Sequence, residues 1–255
     1  MKYSFCSCCL FIINFLSAQA IDSFSIKQVD SLIKVSREHT AKRDFDKALE
    51  VNAVAEKIAL EKLGRESATY GFCCFNRGNV FFSMRNFQEA EKYFLESKSI
   101  REKALGKQHP DYANSLSSLV NLYRGLGDYE KALSFALEFT ANRENILGKE
   151  HPDYAKSINN LSILYREMGN YERAEPLALE ALAIRKKVLG NAHPDYLGSL
   201  NNLANQYNAM GNYEKAEPLY LEALSLKEKI LGKEHPDYAQ SLYNLGVLYN
   251  ALGKY

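Results

Sequence analysis

The amino-acid sequence predicts an all-α chain built as a solenoid of stacked antiparallel helix pairs. Three observations predict it. The tetrapeptide His-Pro-Asp-Tyr recurs at residues 109–112, 151–154, 193–196 and 235–238, a step of 42 residues each time. A second marker keeps the same step, as Gly127-Asp128-Tyr129, Gly169-Asn170-Tyr171, Gly211-Asn212-Tyr213 and Gly253-Lys254-Tyr255. Residues 152–193 and 194–235 are identical at 25 of 42 positions. A fixed period of this length marks one supersecondary unit copied along the chain, each copy burying its apolar face against the next.

The first element is a leader. Residues 1–20, MKYSFCSCCLFIINFLSAQA, begin with Lys2, continue through an apolar stretch from Phe5 to Leu16, and end on small residues at Ala18 and Ala20. That order is the order of a secretory signal peptide. Cleavage is expected after Ala20, followed by a short linker over 21–25 and the repeat array over 26–255. The expected destination is an exported one: periplasm, cell surface or medium. The leader's apolar run is shorter than the roughly 20 residues that span a bilayer, so no integral membrane segment is expected once it is removed.

The 255 residues are 46% hydrophobic and 25% charged, the balance of a folded globular chain. Lys plus Arg is 32 and Asp plus Glu is 31. The leader carries one of the Lys and no acid, so the remaining chain balances at 31 against 31. Nucleic-acid binding is not expected from a chain without basic excess. Three of the five Cys (Cys6, Cys8, Cys9) leave with the leader, and the neighbours Cys73 and Cys74 remain. Adjacent side chains on a helix diverge by about 100°, which is wrong for a disulfide between them. Cys74 reads as a buried small apolar residue and Cys73 as its incidental neighbour.

Each repeat reads as two helices, and 110–151 shows why. Pro110 suits a first helical turn, where its missing N–H costs nothing. Asp111 favours the positive end of the helix dipole. Leu116, Leu119, Val120 and Tyr123 form one apolar stripe at i, i+3, i+4 and i+7. Gly127 stops this helix and Asp128 caps the next. Ala132, Leu133, Ala136, Leu137 and Phe139 are expected to form the second stripe, and Gly148 closes the unit. Lys103, Lys187 and Lys229 lie where a second helix ends and complement its negative pole. Pro176 and Pro218 fall inside second helices, where each removes one backbone bond and bends the helix without ending it. Ala48, Ala90, Ala132, Ala174 and Ala216 recur at one point, where close approach of the paired helix needs a minimal side chain. Upstream the turn marker decays to Arg85-Asn86-Phe87 and Arg43-Asp44-Phe45.

Leu203, Ala204, Asn205, Tyr207, Gly211, Tyr213 and Ala216 together resemble the tetratricopeptide repeat. The usual unit is about 34 residues. The 42-residue unit with its Leu-Gly-x-x-His-Pro-Asp-Tyr link resembles the repeats of kinesin light chains and of many exported or signalling bacterial proteins. The resemblance covers about residues 26–255. It departs from the pattern at the early aromatic of the first helix, where Leu116, Ile158, Leu200 and Leu242 stand, and at the closing Pro, which is replaced by extra helix. The unit 26–67 is degenerate, with Lys34, Glu38 and His39 at positions that are Asn, apolar and Tyr elsewhere, as suits a polar cap.

The resemblance implies a right-handed superhelical solenoid whose first helices line a concave face, and a non-catalytic scaffold that binds a protein or an extended peptide there. Asn76, Asn160, Asn202 and Asn244 occupy one position of the first helices, with Ser118 at the equivalent place. Asn79, Asn121 and Asn205 lie three residues on, on the same face. Asn carries both a donor and an acceptor, so a ladder of Asn suits the backbone of an extended peptide. Asn is also a poor helix-interior residue, so its recurrence needs a reason. Phe72, Phe75, Tyr243, Arg124 and Arg166 vary between units and are the candidates for specificity.

No catalytic residue, metal or cofactor is expected. The four linker His lie one per unit, while zinc needs its ligands about 2 Å from one ion. His109, Asp111 and Ser115 recur too regularly for a catalytic triad. No phosphate-binding Gly loop, nucleophile elbow or HExxH is present. The last first helix, over 236–252, lacks a partner in the sequence, and its Leu242, Leu245 and Leu248 are expected to be half exposed. That suggests a fragment of a longer protein, with the array as the regulatory or sensor arm of a signalling enzyme, caspase-like protease or kinase, as the alternative function.

Overall fold

A computed structural model describes the backbone of residues 7–253 and the side chains of residues 22–253. The expected leader, residues 1–20, lies outside the described side chains. Eleven α-helices and no strand are present among the described residues: α1 Ser7–Ala41, α2 Phe45–Leu63, α3 Ala68–Ser83, α4 Phe87–Leu105, α5 Pro110–Leu126, α6 Tyr129–Leu147, α7 Pro152–Glu167, α8 Tyr171–Leu189, α9 Pro194–Ala209, α10 Tyr213–Leu231 and α11 Pro236–Ala251. Within α1–α5 and within α6–α11, consecutive helices pack against one another. They form two units, one through Leu126 with α1–α5 and one from Gly127 with α6–α11. No described helix is long and apolar enough to cross a membrane.

The helices begin and end for local reasons. The side chains of Asn86, Asp128, Asn170 and Asn212 each accept a backbone N–H three residues on, at the starts of α4, α6, α8 and α10. Second helices end on Gly64, Gly106, Gly148, Gly190 and Gly232, all at φ between 77° and 85°. The linker His residues have a structural task. Nδ1 of His109, His151, His193 and His235 accepts the backbone N–H of the Asp two residues on, at 3.1–3.2 Å, and so caps the following helix. Pro176 and Pro218 lie inside α8 and α10, which continue past them.

The core follows the first expected stripe and corrects the second. Leu116, Leu119, Val120 and Tyr123 of α5 are buried. On α6 the buried set is Ala132, Ala136 and Thr140, while Leu137 is 46% exposed and Leu133 and Phe139 are half-buried. The buried i, i+4, i+8 row is narrower than the predicted stripe and is made of small residues, with the larger Leu133, Leu137 and Phe139 flanking it toward solvent. Ala48, Ala90, Ala132, Ala174 and Ala216 are all fully buried. Cys73 is as fully buried as Cys74 and packs with Val29, Ile33, Ala55 and Ala59, so it is core rather than incidental. Burial pushes the Cys74 thiol up to about 12, and Cys73 higher still. At α11, Leu245 and Leu248 are buried against α9 and α10 residues, and only Leu242 of the expected stripe is exposed. The preceding helix pair suffices to cover the other two.

The Ser and Asp of the links hold helices together. Arg101 near the end of α4 reaches the Asp111 carbonyl and the Ser115 hydroxyl of α5 at 2.9 and 3.0 Å. Arg185 makes the same pair of bonds to Asp195 and Ser199, and Lys227 to Asp237 and Ser241. Burial of the guanidinium pulls Arg101 down to about 10. The Phe75 ring, 4.2 Å from its Cζ, offsets part of that desolvation.

Candidate functional site

The seven Asn predicted to line a peptide face separate into three groups. Asn76 is buried and saturated. Its Nδ2 donates to Ser36 Oγ at 2.9 Å and to Asn52 Oδ1 at 2.8 Å, and its Oδ1 accepts from Arg37 Nε at 3.1 Å. It joins three helices of the first unit, which corrects its assignment to a groove: no part of it is left for a ligand. Asn52 on α2 stands where other repeats carry Phe94, Ala136, Ala178 and Tyr220, and it supplies the buried acceptor that draws Asn76 in. Asn52 also donates to Glu56 at 2.8 Å and to the Cys73 carbonyl at 3.3 Å. Arg77 closes the cluster on Glu56 at 2.6 Å.

Asn202 and Asn205 are half-buried and partly engaged. Asn202 donates to Asn159 Oδ1 at 3.3 Å, bridging α9 to α7. Asn205 accepts from the Tyr220 hydroxyl. Asn244 is half-buried on α11 and accepts from Gln240 of its own helix at 3.0 Å. Asn79 is half-buried, while Asn121 and Asn160 are exposed, and the side chains of these three have no hydrogen-bond partner among the described residues. Asn160, Asn202, Asn205 and Asn244 thus lie on α7, α9 and α11 of the second unit, with Asn202 joined to α7 through Asn159. Asn79 and Asn121 lie on α3 and α5 of the first unit.

Three amides of the second unit belong with this face and escaped the sequence reading. Asn159 is buried and receives Asn202. Asn201 has a buried Oδ1 with no partner among the described residues, and Asn208 is half-buried. The signal was present as the doublets Asn159-Asn160 and Asn201-Asn202. Of the residues proposed for specificity, Tyr243 is 67% exposed beside Val247 at 42%. Arg124 and Arg166 are half-buried. Phe75 and Phe72 instead carry the buried Arg101 and, for Phe72, Arg37 at 4.9 Å.

Tyrosine–glutamate contacts stiffen both units from outside this face. Tyr154 and Tyr196 of the links donate to Glu180 and Glu222 on the following second helix at 3.3 and 3.0 Å. Tyr123, Tyr207 and Tyr249 donate to Glu91, Glu175 and Glu217 on the preceding second helix at 2.6, 2.7 and 3.0 Å. The hydrogen bond from Tyr207, reinforced by Lys215, holds Glu175 below the usual carboxylate range. No group of three or more His, Cys, Asp or Glu is placed to hold a metal among the described residues.

Comparison with known proteins agrees with this architecture. A Podosopora anserina protein assigned to the kinesin light chains, with nearly identical TPR-like repeats, aligns at 23% identity and a TM-score of 0.72 over 80% of this chain and 96% of its own. BtubC from P. vanneervenii aligns at 21% identity and a TM-score of 0.65, over 89% and 85% of the two chains. A STAND-class signal transduction ATPase from Pyrococcus horikoshii, which carries a tetratricopeptide repeat sensor, aligns at 19% identity and a TM-score of 0.71 over 88% of this chain and 33% of its own. No curated protein sequence matches. One tetratricopeptide repeat model matches residues 66–145 and 195–255, more than half of the chain, and a second matches residues 155–195. With eleven consecutive helices and no strand among the described residues to set beside those matches, the chain belongs to the tetratricopeptide repeat family.

Proposed function

We propose that the first-helix face of α7, α9 and α11 binds an extended peptide segment of a partner protein, and that the chain is a scaffold rather than an enzyme. One observation carries the reading. Asn160 projects from α7, exposed and with no hydrogen-bond partner among the described residues, and the first helices of the same unit also carry half-buried Asn202, Asn205 and Asn244 and the exposed Tyr243 and Val247. No hydrogen bond among the described residues uses the Asn160 side chain, and an exposed Asn in a helix interior costs about 0.5 kcal/mol or more relative to Ala. Amide donors and acceptors at this spacing suit a peptide backbone, and the aromatic and apolar side chains on α11 add area and selectivity.

Selection of a displayed random dodecapeptide library on the full chain, followed by titration of the recovered peptides, tests this. Asn160→Ala combined with Tyr243→Ala is expected to weaken binding at least tenfold and leave helicity unchanged, because both side chains are exposed. Recovery of no binder, or unchanged affinity in the double variant, overturns the proposal.

A further inference from the structure

The tyrosine–glutamate contacts break at one repeat, and an open cleft lies there. Tyr207 gives its hydroxyl to Glu175, and Lys215 places Nζ 3.3 Å from the same carboxylate oxygen and 4.9 Å from the Tyr207 ring centre. One repeat earlier, Tyr165 and Arg173 stand in the places of Tyr207 and Lys215, with Arg173 Cζ 5.8 Å from the Tyr165 ring centre. The place of Glu175 is taken by Leu133, which supplies no acceptor. Among the described residues the Tyr165 hydroxyl has no hydrogen-bond partner and the Arg173 guanidinium has no acid. Here the surface opens into a cleft of about 770 Å³, lined by Leu137, Leu161 and Leu177 beside Tyr165 and Arg173, with Glu172 also on its wall.

We propose that this cleft takes an acidic side chain of a partner protein, flanked by apolar residues, whose carboxylate pairs with the Tyr165 hydroxyl and the Arg173 guanidinium that Leu133 leaves without an acid. The intact repeat is the physical precedent. There a tyrosine hydroxyl and a cation hold Glu175 in its charged form. Arg173 is the stronger anion receptor, because a planar guanidinium meets a carboxylate with two parallel bonds where an ammonium offers a point charge. The three leucines supply the apolar floor that the flanking residues need. Glu172 works against a run of acids, so a single Asp or Glu between apolar residues fits better than an acidic tract. None of the Asn residues of the proposed peptide face lines this cleft, so the two proposals stand or fall separately.

The probes are a blocked peptide, acetyl-Ala-Leu-Glu-Leu-Ala-amide, and its analogue with Gln in place of Glu. Each is titrated into the full chain at low ionic strength, with the Nε–H resonance of Arg173 as the reporter for the wild type and backbone amides of α8 as the reporter for all variants. The Glu peptide is expected to bind at least tenfold more tightly than the Gln peptide, and the difference should shrink as salt screens the pair. Leu133→Glu supplies the missing acid from within and should weaken the Glu peptide at least tenfold. Arg173→Gln, at an exposed position, should do the same, and it decides the matter if the Leu133 variant does not fold. Equal binding of the two peptides, no shift up to millimolar concentration, or full binding by Arg173→Gln overturns the proposal.

Discussion

The repeats before Leu126 and those after Gly127 use the same helices, and fill the space between them differently. In the first unit, the polar cluster of Ser36, Asn52 and Asn76 is buried with the exposed Arg37 reaching in to Asn76, Glu56 and Arg77 form a half-exposed pair beside it, and Phe94 packs onto Gly78. Phe75, Phe82 and Phe87 add a chain of ring contacts at 5.7–6.4 Å. In the second unit, the same layer is mostly Leu, Ala and Tyr, as in the cluster of Leu203, Ala204, Tyr207, Ala216, Tyr220, Leu245 and Leu248. Even the size relation persists, since Gly78 meets Phe94 and the equivalent Ala204 shares a cluster with Tyr220. The comparison teaches that caps, turns and the recurrent Ala set the backbone. The remaining core positions can then be apolar or polar, provided that volume and hydrogen bonds close locally.

Three pairs of substitutions test this contrast, each pair at equivalent positions. The largest effect is expected at Gly78. A Cβ there would lie 2.6 Å from the Phe94 ring, which is itself fully buried, so Gly78→Ala should destabilise by about 2–3 kcal/mol through overpacking. At the equivalent Gly246 nothing lies within 4 Å, and Gly246→Ala should stabilise by up to ~1 kcal/mol through helix propensity. Thermal or urea unfolding of the two variants reads the difference, and the same sign at both positions would remove the size argument. Next comes Asn76→Ala, which strands the buried side-chain oxygen of Asn52, at a cost of about 1–3 kcal/mol. The equivalent Asn160→Ala should be neutral or slightly stabilising in the same measurement. The smallest effect is at the turn before α4. Arg85 holds φ 61°, and Gly169 holds φ 75° at the equivalent place. Arg85→Gly should therefore gain about 1 kcal/mol, and Gly169→Ala should lose about as much. A loss of stability in Arg85→Gly would mean that the arginine side chain repays its backbone strain.

Much of the fold was legible in the residues. The turn glycines, the Asx caps, the recurrent Ala and the α5 stripe all occur where the repeat puts them. The candidate site was less legible. Asn76, Asn160, Asn202 and Asn244 are one letter at one repeat position, yet Asn76 is core, Asn202 bridges two helices and Asn160 is free. The letter does not carry the environment, because the environment is supplied by Ser36 and Asn52 in one case and by open solvent in the other. From the sequence the His of each link is only a residue too far from its copies to share a metal, and its Nδ1 cap is visible only with the ring placed against the Asp N–H.

What the sequence determined by itself is the set of interactions that close within about four residues: where helices begin, where glycine or a strained arginine turns the chain, which stripe is apolar, and the 42-residue period that repeats them. Tertiary structure alone decided which polar groups are buried and which remain open. Those outcomes depend on partners about 24 to 43 residues away, as Asn76 depends on Ser36 and Asn52, Asn202 on Asn159 and Tyr207 on Glu175. A donor needs an acceptor within about 3 Å, and only the packing of neighbouring helices settles whether one is there.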